Sequence, residues 1–96
     1  MGSLTRVVIR HANRHEGTLY EGHFEITSLV GTIDRIGEHV HITITDGDGK
    51  AWGGHLLPGS AVYTTAEIVL LDLPELIFTR EPCKASGYEE LVIKNK

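Results

Sequence analysis

The stretch from His39 to Leu56 limits this chain more than any other. Val40, Ile42 and Ile44 alternate without a break against His39, His41, Thr43 and Thr45. Strict alternation over this length is the pattern of a strand with one buried face. It runs into Asp46-Gly47-Asp48-Gly49, with Asp at the first turn position and Gly at the fourth. That is a type I turn signature, with Gly49 free to take a left-handed conformation as a G1 bulge. A three-residue loop then pairs Asp46 with Lys50. Ile44 faces Trp52, Ile42 faces Gly54 and Val40 faces Leu56. A slip of one residue would exchange the faces and put Trp52 among the threonines, so the apolar pattern selects the first register.

The rest of the chain reads in the same way. Turn signals stand at Asn13 to Gly17, Gly37-Glu38, Pro58-Gly59, Pro74-Glu75 and Glu81-Pro82. The β-branched runs between them predict strands at Leu4–His11, Thr18–Glu21, Phe24–Ile36, His39–Asp46, Ala51–Leu56, Val62–Leu73, Leu76–Arg80 and Glu90–Lys94. Connections this short favour antiparallel pairing. No segment has the capped 3.6-residue periodicity of an amphipathic helix. The expected fold is mainly β: one domain over residues 1–96, built on a single curled antiparallel sheet. Ile68-Val69-Leu70-Leu71 is apolar on both faces and asks for cover on both sides. Either the sheet closes on itself, or neighbouring subunits complete it, which points to a homo-oligomer.

Composition removes several functional classes. With 96 residues the chain is one domain at most. No apolar run approaches the roughly 18–20 residues of a membrane-spanning helix, and the first residues lack the apolar core of a signal peptide. A lone Cys83 excludes an internal disulfide and fits the cytoplasm. The net charge is −4, with the nine Lys and Arg scattered, so nothing in the composition suggests a grip on phosphate backbones. There is no phosphate-binding loop or dinucleotide fingerprint. The Asp46 turn begins like a calcium loop, but Leu57 stands where the bidentate Glu belongs.

The register of the hairpin carries the chemistry. It sets His41 opposite His55, about 4.5–5.5 Å away, on the face that also bears His39, about 6.5–7 Å along the strand. Three neutral imidazoles at this spacing suit zinc with a fourth position open, and would also suit iron, nickel or copper. The alternative is an exposed or hydrogen-bonded histidine cluster. His11, His15 and His23 read as surface residues near turns. Gly53-Gly54 weakens a strand for no packing gain, and marks either close approach by a ligand or another chain, or a tight bend.

Gly22-His23-Phe24-Glu25-Ile26-Thr27-Ser28-Leu29-Val30-Gly31 resembles the opening motif of the plants-and-prokaryotes-conserved (PPC) domain. His39-Val40-His41, Gly53-Gly54-His55-Leu56 and Thr65-Ala66-Glu67 resemble its later motifs. The resemblance runs from about Gly2 to Leu91. It implies an α+β family built on an antiparallel sheet, members that form trimers, and a label of DNA-binding regulatory protein. It also implies a metal site, zinc, at His39, His41 and His55. Glu25 and Glu67 fall in the family-like strings. They join Gly53 and Gly54 as candidates for a ligand-approach or interface surface, and either is a candidate general base if the site is that of a metal-dependent enzyme. Family members carry a helix-containing segment before the region of Gly2-Ser3-Leu4, so this chain is expected to be an N-terminally short form. It has no AT-hook. A stand-alone DNA-binding or regulatory module with a metal site is one expectation; a metal-dependent enzyme or small-molecule-binding protein is the other.

Overall fold

The computed structural model describes residues 1–96 and contains six strands and no helix. They are β1 (Gly2–Arg10), β2 (Thr18–Ile33), β3 (Glu38–Thr45), β4 (Ala51–Ala66), β5 (Leu76–Pro82) and β6 (Glu89–Asn95). The chain is mainly β, and its paired strands run antiparallel. β1 to β4 curl until β1 pairs with β4, closing a barrel, while β5 and β6 form a separate two-stranded sheet. Closure removes the open edges that a four-stranded sheet would otherwise present.

The chain divides into two compact units. The first comprises Met1–Gly31 and His39–Val69 and holds the barrel. Its interior is filled by Leu4, Val7, Ile9, Phe24, Ile42 and Ile44, with Tyr20, Ile26, Leu29, Trp52 and Leu56 packed against them. Ile42 and Ile44 point inward because they share the apolar face of β3, which leaves the histidine and threonine face outside. The second unit, Thr32–Glu38 with Leu70–Lys96, centres on the β5–β6 hairpin. There the Arg80 guanidinium donates to Thr32 Oγ1 at 3.1 Å, and Lys94 pairs with Glu81 at 3.1 Å.

The eight expected strands become six because the gap at Gly22-His23 and the turn signal at Pro58-Gly59 are bulges in continuous strands. Leu4 pairs with Phe24 and Arg6 with Glu21, so Gly22 and His23 are accommodated opposite Thr5 alone. Val8 pairs with Leu57 and Arg6 with Ala61, so Pro58-Gly59-Ser60 bulges opposite Val7. Gly59 has φ +117°, which only glycine adopts without strain. Bulges of this kind sharpen the curl that closes a small barrel.

The strand expected at Val62–Leu73 is corrected. β4 ends at Ala66, opposite Gly2, the first residue of β1. Met1 closes the ladder: its carbonyl accepts from Glu67 N at 2.6 Å, and its ammonium donates to Glu67 O at 2.9 Å. Beyond this point β4 has no strand to pair with, and residues 67–73 take no regular structure. Ile68, Val69, Leu70 and Leu71 are 61, 97, 72 and 82 % exposed, not covered on two faces.

Candidate metal centre

The β3–β4 hairpin has the register that the alternation predicts. His41 pairs with His55, Ile42 with Gly54, Thr43 with Gly53, Ile44 with Trp52 and Thr45 with Ala51. At the turn, Asp46 N donates to Lys50 O and Gly49 N to Asp46 O, both at 3.0 Å, and Gly49 is left-handed at φ +79°. Asp46 Oδ1 accepts from Asp48 N and Lys50 N, which holds the reversal rigid.

That register brings three imidazoles together on the outer face of the barrel. The rings of His39 and His41 stack at 5.4 Å between centroids. His55 stands edge-on to both, at 4.8 Å from His39 and 5.6 Å from His41. One ring nitrogen from each residue lies within 4.8 Å of the other two. A tetrahedral zinc needs its nitrogens about 3.3 Å apart, so the rings would have to draw somewhat closer to hold one. His41 is exposed and His55 half-buried.

The electrostatics fit a metal better than a proton. His55 Nδ1 is shut off from solvent and has no hydrogen-bond partner. A buried ring nitrogen in that state is an unusual and costly feature. A cation bound at that nitrogen would satisfy it, since the neutral imidazole tautomer protonated at Nε2 offers a lone pair there. Burial holds the His55 pKa below the ordinary histidine value, and the charges of Arg10, His39 and His41 lower it further. The ring therefore stays neutral and able to ligate at neutral pH.

Glu25 and Glu67 do not join this cluster. Glu25 pairs with Ser3, and Glu67 is bonded to Met1. Both sit at the Gly2 end of β1, whereas His55 pairs with Arg10 at its other end. Gly53 and Gly54 admit the chain's own strands. A Cβ on Gly53 would lie 2.9 Å from Thr43 Oγ1, and one on Gly54 would lie 2.7 Å from the Arg10 carbonyl oxygen.

Two features escape sequence reasoning. Arg10 faces His55 only because the barrel closes β1 onto β4, and no local pattern signals that pairing. His11 is not a free surface residue. Its Nδ1 bonds the Gly53 carbonyl at 2.9 Å, and its Nε2 lies 2.6 Å from Tyr20 Oη. The link pins β4 two residues before His55. The pairing of Ile9 with Thr18 across the β1–β2 hairpin places His11 and Tyr20 near one turn, and is the signal that could have found them.

A small antiparallel barrel carrying three clustered imidazoles on its outer face is the class of protein that this fold and site define. Comparison with known proteins then assigns the family. The model of the Plants and Prokaryotes Conserved (PCC) domain, the PPC domain above, matches residues 1–74, and this chain belongs to that family. It is 46 % identical, over 94 residues, to the bifunctional protein GlmU of Synechococcus sp. strain JA-2-3B'a(2-13), and 45 % identical to that of strain JA-3-3Ab. The match covers 98 % of this chain and 15 % of those proteins, so the chain spans a small part of their length. A hypothetical protein from Salmonella cholerae-suis superposes with a TM-score of 0.96 at 46 % identity, covering 99 % of this chain and 69 % of that one. A protein from Bacteroides thetaiotaomicron, described as a candidate DNA-binding protein, has the same fold at a TM-score of 0.64 and 21 % identity. That match covers 95 % of this chain and 67 % of the other.

Proposed function

We propose that this chain is a metal-binding PPC module in which His39, His41 and His55 hold one zinc ion. The observation that carries this reading is the cluster of three imidazoles, each with a ring nitrogen within 4.8 Å of the other two, in which His55 also has a buried Nδ1 with no partner. A zinc ion held by three protein ligands supplies a Lewis-acid position to a fourth, outside ligand. Neither candidate general base stands beside the centre, since Glu25 and Glu67 lie at the far end of β1. That favours capture of a small molecule over hydrolysis. Elemental analysis of the purified protein tests the reading: about one zinc per chain is expected, lost in both His41→Ala and His55→Ala. Wild-type protein that stays metal-free after zinc loading would refute it.

A second reading, a DNA-associated regulatory module, draws on the description of the Bacteroides neighbour. The net charge of −4 and the absence of a helix weigh against a conventional groove reader. Fluorescence anisotropy with duplex DNA across a salt series decides it: a DNA binder loses affinity steeply as salt rises. In either reading the protein acts as a cytoplasmic homotrimer. The support is the run Ile68–Leu71, whose exposed apolar side chains suit burial against other copies. Light scattering should then give three times the chain mass of 10.6 kDa.

A further inference from the structure

The face that carries the histidines also carries a cation. Arg10 on β1 lies directly across from His55 on β4, and His55 lies directly across from His41 on β3. Direct cross-strand partners project from the same face with Cβ atoms about 4.5–5.5 Å apart. A row of three strands therefore presents a guanidinium, then two of the three imidazoles. The flanking pairs on this face, Val8 with Leu57 and Thr43 with Gly53, contain no acidic residue. The salt bridge of the chain joins Lys94 to Glu81, so Arg10 has no carboxylate partner. Arg10 is itself half-buried, which restricts the water available to it.

We propose that Arg10 makes the three-histidine centre an oxyanion site, in which a carboxylate or phosphate group of a small ligand is held by the metal and the guanidinium together. This rests on the metal reading above and deepens it. Three neutral imidazoles bring no charge, so a bound dication keeps its full +2, and Arg10 adds one more. A cation placed there opposes the metal when nothing else is bound. It becomes favourable once an anion bridges the two. The guanidinium fork matches the paired oxygens of a carboxylate or phosphate, which a point charge would not.

Cobalt(II) provides the test, because its visible bands report its coordination directly. The protein is loaded with cobalt and titrated with inorganic phosphate and, separately, with acetate, at constant ionic strength. Saturable changes in the cobalt bands are expected in at least one arm, and the arm that responds identifies the oxyanion. Arg10→Gln should weaken that apparent affinity by about tenfold or more, the scale of a lost charge-assisted hydrogen bond. It should leave cobalt affinity unchanged or tighter. Arg10→Lys should fall between the two. Arg6→Gln, exposed and four residues along the same strand, should behave as wild type. Equal anion affinity in wild type and Arg10→Gln would overturn the role of Arg10 while leaving the metal site standing. Cobalt bands that ignore both anions in wild type would do the same. A wild-type protein that develops no cobalt bands would overturn the metal reading and this proposal with it.

Discussion

Thermal melts of wild type and His55→Ala, each with zinc and with chelator, probe the centre most directly. A ligand that binds only the folded chain stabilises it by about 2.7 kcal/mol when present at a hundred times its dissociation constant. In a domain of 96 residues, each kcal/mol moves Tm by about 4–8 °C. Zinc at that excess should therefore raise the wild-type Tm by about 11–22 °C. Losing the partner of a metal-ligating histidine alone costs about 10–100-fold in affinity, so losing the ligand itself should cost at least about 100-fold. At the same zinc concentration the variant would sit near its dissociation constant. It would gain about 0.4 kcal/mol, or about 2–3 °C. With chelator the two proteins should melt within a few degrees of each other. The variant loses the packing of a half-buried ring, but it also loses a buried nitrogen with no partner. His15→Ala, at an exposed position, should keep the full zinc shift. A zinc shift of equal size in wild type and His55→Ala would refute the reasoning, as would its absence from wild type.

Three further outcomes follow from the same structure. In chelator, stability should fall as pH drops from about 6.5 toward the lowered folded pKa of His55, because the unfolded chain takes up that proton first. His55→Leu should flatten this part of the profile, and urea midpoints at pH 7 and pH 5.5 measure it; identical slopes would count against the assigned environment. Ile44, fully buried in the barrel, should cost about 2–5 kcal/mol when truncated to Ala, read as a lower urea midpoint at unchanged m. Gly54→Ala puts a Cβ 2.7 Å from the Arg10 carbonyl oxygen at φ +154°. It should destabilise by more than about 1 kcal/mol and weaken anion binding at unchanged zinc content, by pushing β1 and its Arg10 away from the strand that holds His55.

The legibility of the site follows from the range of the contacts that build it. The β3–β4 hairpin spans fewer than thirty residues, and its register depends on a turn signature and an alternating pattern that are both local. The convergence of His39, His41 and His55 could therefore be read directly. The mainly β class was legible for the same reason. The strand at Val62–Leu73 was not, because propensity says that a segment would be at home in a sheet, and only a partner makes it a strand. Ile68–Leu71 has the composition, but the β1 ladder stops at Gly2. Pro58-Gly59 and Gly22-His23 have turn chemistry, yet long-range pairing on both sides carries the strands through them as bulges.

The same distinction divides the centre itself. Its three histidines come from one hairpin, while its electrostatic surroundings come from the closure of the barrel. Arg10 reaches His55 across forty-five residues of sequence, and His11 reaches Gly53 across forty-two. Changes within the hairpin act on the ligands directly. Changes that loosen the β1–β4 seam should leave three histidines able to bind metal and remove the cation that selects what the metal holds. Zinc affinity and anion affinity are then separable. A variant such as Arg10→Gln, which keeps the first and loses the second, would place ligand choice in the barrel seam and metal retention in the hairpin.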